Sequence, residues 1–211
     1  MIPASAMKEI RDAEIHHLIA GELCLNFANT LYGHEGAPLH EYLFDFRDLV
    51  LWSRHAGILT DKEARRLLRE ATRRPRETKK VFRRAVSLRE MIYRVFAGLA
   101  HGHAPTADDL SALHSAWLEA TPHLQLIQSA GGVHLDWESG DALDRMLWPI
   151  VDSAVKLLTS EEAQSVKQCG GCDWLFADHS RNHLRRWCSM DKCGNRAKMR
   201  RRARRKMTAR Q

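Results

Sequence analysis

Four of the chain's five cysteines lie in its last 43 residues, as Cys169 and Cys172, then a fifteen-residue gap, then Cys188 and Cys193. Two short-spaced pairs separated by about fifteen to twenty residues form a zinc pattern. Zinc takes four soft anionic ligands in a tetrahedron, and a two-residue gap curls the backbone so that both thiolates face one point. Gly170 and Gly171 occupy that gap and let the curl form. A module of under about 50 residues has little core of its own, so the metal supplies folding energy. Four thiolates close the coordination shell, which reads as a structural zinc rather than a catalytic one. The second pair, in CSMDKC, falls where a helix begins. A knuckle followed by a ligand pair at a helix start is the arrangement of treble-clef fingers. Cys24, far upstream on an apolar face, reads as a small buried hydrophobe.

The charge distribution sharpens this picture. The net charge of +7 divides into about +12 over Arg181 to Gln211 and about −5 over the first 180 residues. A basic end on a mildly acidic body usually meets an anion, most often nucleic acid. The alternative is a solvated tail that aids solubility. No apolar run approaches the ~18–20 residues of a membrane helix. The first residues, MIPASAMKEIRDAEIHH, contain no signal-type apolar stretch. The expected location is the cytosol, where thiols stay reduced, which favours metal binding over disulfides.

Upstream, hydrophobic periodicity predicts helices. AEIHHLIAGELCLNFANTLY repeats apolar residues at helical spacing, with Gly21 as a weak point. A second helix runs through HEYLFDFRDLVLWSRHAGI, with Gly57 as a stop. Thr60 and Glu63 form a capping box for a third, to about Ala71. A long helix from about Glu77 to His101 carries a stripe from Val81 to Leu99. Thr106 opens another, which ends before Pro122. In HLQLIQSAGGVHLDW the period changes to two, which predicts a β-hairpin around Gly131-Gly132. An apolar helix from about Asp141 to Leu158 follows, with Pro149 expected to kink or split it, and Thr159 with Glu162 mark a new start. The expected fold is mainly α with a small β-hairpin. It comprises a helical N-terminal domain, residues 1–163, and a treble-clef-like four-cysteine zinc finger with a basic C-terminal helix, residues 164–211.

CGGCDWLFADHSRNHLRRWCSMDKCGNRAK resembles the zinc finger named for its CGNR run, here Cys193 to Arg196. The likeness spans about residues 166–200. It includes both cysteine pairs, Phe176 with Asp178, and the run Arg186 to Cys188. The body resembles the ABATE domain that accompanies this finger, most closely in GELCLNFANT, Gly21 to Thr30. The resemblance implies a bacterial DNA-binding regulator of transcription, linked to stress responses.

Candidate contacts to nucleic acid are Arg181, Arg185, Arg186 and Lys192 before or within the second ligand pair. Beyond it lie Asn195, Arg196, Lys198, Arg200, Arg201, Arg202, Arg204 and Arg205. In a helix these bases surround the axis and leave only Met199, Ala203 and Met207 as an apolar seam. Phosphates are the natural counterpart, and duplex DNA is the expected partner. Arg196 and Asn195 could read guanine and adenine, or Asn195 could shape a turn. RNA is the alternative, with Trp174, Phe176 and Trp187 as stacking platforms, and protein docking is another. The body shows no phosphate loop, nucleophile elbow or metal-binding His-Glu-x-x-His helix, so a non-enzymatic role is expected. Its expected work is sensing a small-molecule or protein signal, or assembly with a second copy. Asn26, Asn29, Thr30 and Arg47 are candidates for a polar pocket lining; the alternative for the two asparagines is capping of nearby backbone.

Overall fold

The computed structural model describes residues 18–33 and 39–208. The helix predicted over AEIHHLIAGELCLNFANTLY is cut short at its described end. Gly21 adopts φ +87°, a left-handed conformation that ends any helix reaching it, and its upstream part lies outside the described residues. What remains is α1, Leu23–Ala28, a single buried turn and a half at the centre of the molecule. Leu25 and Phe27 on it are fully buried. It is followed by a two-residue ladder between β1 (Leu31–Tyr32) and β2 (His40–Glu41), which are antiparallel.

Helix α2 spans Phe46–His55 and is capped by Asp45, which accepts from the Asp48 amide at 3.0 Å. Gly57 follows its end with φ +77°. The Thr60–Glu63 capping box forms as expected and starts α3, Asp61–Arg73. Helix α4 begins at Pro75, in the first turn where the missing N–H costs nothing, and runs to Ala100. Its buried face carries Val81, Ala85, Leu88, Ile92, Val95 and Phe96. Helix α5, Ala107–Ala120, is capped by Thr106.

The predicted hairpin is present as β3 (Leu124–Ser129) and β4 (Gly132–Trp137), paired from Leu124↔Trp137 to Ser129↔Gly132. Its alternating apolar face does not meet the core: Leu126 is 74% and Val133 67% exposed. Only its base is anchored, by Trp137 against Trp148 and by His123 stacked on the Trp148 indole at 3.8 Å.

Helix α6 spans Leu147–Leu158, shorter than predicted. Pro149 lies in its first turn and neither kinks nor splits it, because an amide there has no intrahelical acceptor to lose. Residues 143–146 form turns instead, which bury Leu143 and Met146 and turn Arg145 inward. The start predicted at Thr159 and Glu162 gives only a 3-10 turn, Glu161–Ser165, preceded by Ser160 without a side-chain cap. Two further strands, β5 (Val166–Gln168) and β6 (Leu175–Ala177), form an antiparallel hairpin. A π-type turn, Met190–Gly194, leads into α7, Asn195–Thr208. Val166, Leu175 and Ala177 belong to the same apolar core as α1, α4 and α6, so the helical body and the cysteine-bearing hairpin share buried surface. Among the described residues no helix is long and apolar enough to cross a membrane.

The pair of buried Arg145 and half-buried Glu63, 2.5 Å apart, ties the turns before α6 to the start of α3. Burial by itself would raise the pKa of Glu63, but hydrogen bonds from Arg145 and Thr60 outweigh it and hold the carboxyl at about 2, below its ordinary 4.5. The stabilisation is therefore full above the ordinary value and is lost as the pH falls through about 2. Glu63→Gln is expected to cost on the order of 1–2 kcal/mol at neutral pH, between the values of exposed and buried pairs because solvent reaches Glu63. The gap from the unaltered protein should narrow in acid. Denaturant melts at about pH 7 and about pH 3 measure both; equal deficits would trace the loss to packing alone.

Candidate metal centre and basic helix

Cys169 and Cys172 sit on the loop between β5 and β6, and Cys188 and Cys193 on the segment that leads into α7. The four Sγ atoms lie within 4.8 Å of one another and all four cysteines are buried. Cys172–Cys188 and Cys188–Cys193 are 3.6 Å apart and Cys193–Cys172 3.7 Å. A zinc tetrahedron with Zn–S near 2.3 Å requires S···S of about 3.8 Å, so the cluster fits the metal and is poorly described as mutual thiol hydrogen bonds. Four buried thiolates this close repel one another, so a cation is needed to hold them together. Zinc is the cofactor of this site. Cys24 behaves differently: burial pushes it up to about 12, and it remains an inert core thiol.

The knuckle is closed by sterics as much as by metal. A Cβ on Gly170 would meet the Trp187 ring at 3.0 Å, and one on Gly171 would meet the Cys193 Cβ at 3.1 Å. The Cys169 sulfur accepts from the amides of Gly171 and Cys188, at 3.4 and 3.2 Å. Such N–H···S bonds stabilise a bound thiolate.

Asp178 organises the segment between the two ligand pairs. Fully buried, it accepts from Lys167 Nζ at 2.7 Å, from the Ser180 amide and hydroxyl, and from the Arg185 amide. Burial alone would raise its pKa, but these donors, Lys167 foremost, hold it well below the usual carboxylate range. Sequence reasoning noted Asp178 only within the family likeness; its role follows from the donors that converge on it.

The predicted contact residues separate into two groups. Arg185 is a strut, not a free contact: its guanidinium donates to the Trp187 carbonyl at 2.9 Å and to that of Cys188, and lies 4.4 Å over the Phe176 ring. Its donors are spent within the protein. Asn195 is exposed, but its side-chain amide donates to the Asp191 carbonyl at 3.2 Å, which favours the turn-shaping role over base reading. Arg181, Arg186, Lys192, Lys198, Arg200, Arg201, Arg202 and Arg205 are exposed and Arg196 is half-buried. The side chain of Arg204 lies outside the described residues. Arg196, Arg200 and Arg201 line a recess of about 330 Å³ with Gly170, Gly171 and Cys193. Lys192 and Arg196 also border a recess beside Cys172, Cys188 and Cys193, where their charge offsets the thiolates. Trp174 and Phe176 are buried and half-buried Trp187 covers the knuckle, so these rings form a small core.

Among the described residues, the four residues predicted to line a polar pocket do not come together in one. The Asn29 amide donates to the Leu175 carbonyl at 2.8 Å and its Oδ1 accepts from the Leu175 amide at 2.8 Å. Asn26 Oδ1 accepts from the Ala20 amide, and the Thr30 hydroxyl donates to the Phe27 carbonyl. Arg47 stands apart, exposed beside an apolar groove lined by Phe44, Leu68 and Phe82. Polar groups on a core face have taken backbone partners, as burial requires, and Asn29 uses them to hold β6.

Two family models match the chain. ABATE, described as "Putative stress-induced transcription regulator", matches residues 21–161. The CGNR zinc finger matches residues 165–206. A search of curated proteins finds no match.

Chelation of the zinc is expected to release the knuckle and α7 while β6 stays in place, since Asn29 and the body core hold it. Hydrogen exchange should show the Leu175 and Ala177 amides still protected; uniform loss of protection from residue 164 onward would show that the metal alone holds the hairpin. Asn29→Ala removes both bonds to Leu175 and is expected to cost about 2–3 kcal/mol, read from denaturant melts of the zinc-loaded protein.

Proposed function

The chain belongs to the ABATE family and ends in a CGNR zinc finger, and from that footing we propose that it regulates transcription by binding duplex DNA through the finger and α7. The helical body serves as its sensing or assembly domain. The observation that carries this reading is the recess beside the metal. Arg196, Arg200 and Arg201 converge on the glycines of the knuckle, with no ion pair to any carboxylate among the described residues. Arg202 and Arg205 extend the exposed charge along the helix. Like charges at this density repel one another unless an anion joins them, and phosphates are the anion that a groove-tracking basic helix meets. The burial of Trp174 and Phe176 removes the rings that a single-strand binder would use for stacking and so favours duplex over RNA.

Fluorescence titration of the zinc-loaded chain with duplex DNA, single strands and structured RNA at two salt concentrations tests the reading. Duplex should bind best, with each phosphate contact adding a slope of roughly −0.9 in log K against log salt. Replacing Arg200, Arg201 and Arg202 together with Ala should weaken all sequences alike and flatten that slope by up to about 0.9 for each phosphate no longer neutralised. Arg196→Ala, beside the knuckle, is expected to alter preference among sequences. Tighter binding to RNA would move the function to RNA recognition. No binding even at about 50 mM salt would leave the finger a docking or structural module.

A further inference from the structure

A cleft of about 310 Å³ opens between β1, α4 and the zinc knuckle, outside the basic recess. Its walls are apolar and aromatic, chiefly Leu31, Leu39, Tyr32 and Tyr93. Both rings are held. Tyr93 donates to the Asp173 carbonyl at 3.1 Å and accepts from Gln168 Nε2 at 2.9 Å. Tyr32 stacks on His40 and Tyr42 and meets Trp174 edge-on.

Four charged residues complete the lining: Arg89, Glu90, Arg94 and Asp173. The arginines are already committed. Arg89, 2% exposed, forms a bidentate pair with Glu41 at 2.6 and 2.8 Å. Arg94 donates to Asp109 at 2.6 Å and only then feels the field of Glu90. With each arginine set against the carboxylate it bonds, the carboxylates of Glu90 and Asp173 remain in excess.

We infer that this cleft is a binding site for a small, mainly apolar organic cation. The fixed Tyr93 ring and the carboxylates of Glu90 and Asp173, which form no hydrogen-bonded ion pair among the described residues, attract a cation, the apolar walls take its body, and an anionic ligand meets the same two carboxylates. The site touches both modules at once, because Tyr93 and Glu90 belong to α4 while Asp173 belongs to the knuckle. Occupancy therefore bears on the position of the finger.

The test compares three ligands of similar shape, 4-phenylbutylammonium, 4-phenylbutanol and 4-phenylbutyrate, by calorimetry on the zinc-loaded full chain without nucleic acid. The ammonium should bind about tenfold more tightly than the alcohol, and the carboxylate weakest of all. Glu90→Gln and Asp173→Asn should each weaken the ammonium several-fold and leave the alcohol unchanged. Glu90 is exposed, so its variant retains the fold, which the unchanged alcohol affinity also checks. Equal affinity for ammonium and alcohol, indifference to both substitutions, or no binding of the ammonium up to about 10 mM would each overturn the assignment. Because the titration contains no DNA, its outcome is separate from that of the duplex measurement.

Discussion

Four thiolates within 4.8 Å of one another set the terms for the whole C-terminal segment. Such a cluster is untenable without a cation at its centre, and once zinc is there the chain around it has little freedom. Glycine is required at both positions between the first ligands, because the Trp187 ring and the Cys193 side chain occupy the space a Cβ would need. Trp187 in turn is placed by Arg185, which bonds its carbonyl, and Arg185 by the buried carboxylate of Asp178. The metal, the indole, the guanidinium and the carboxylate form one chain of dependence. The basic helix α7 projects from its end.

That chain continues into the body. Asn29 offers β6 a donor and an acceptor, as a neighbouring strand would. Val166, Leu175 and Ala177 sink into the core beside α1 and α4. Tyr93 and Gln168 add a polar bridge from α4 to the knuckle. The helical domain and the finger are therefore one mechanical unit at their joint, and movement of α4 near Arg89 has a direct path to the metal-bearing loop.

Much of this was legible in the sequence where a local rule governs. The spacing of the cysteines identified the ligands. The Thr60–Glu63 box, the apolar stripe of α4 and the alternation around Gly131-Gly132 each belong to a period or a cap that neighbouring residues define. What escaped depends on partners far apart in the chain. Asn29 meets Leu175 146 positions away, and no local pattern separates that role from a pocket lining. Arg89 reads as one of the arginines off the apolar stripe of its helix until Glu41 is placed opposite it. Arg185 and Arg200 look alike as letters; one is locked in carbonyls and the other faces solvent. The two-residue ladder of β1 and β2 is too short to show a period at all. The cleft escaped for the same reason, since its walls come from β1, α4 and the knuckle, three separate stretches of sequence.

The Asn29 clamp also decides how portable the finger is. Zinc modules are often treated as interchangeable parts that carry their fold with them. Here a fragment cut at residue 164 would cost Leu175 both of its bonds to Asn29 and expose the apolar seats of Val166 and Ala177 to water. Grafted onto another protein, the finger would keep its metal ligands but lose the clamp that orients its strand β6. A transplant that preserves its aim must bring α1 as well, and with it the part of the body into which α1 packs.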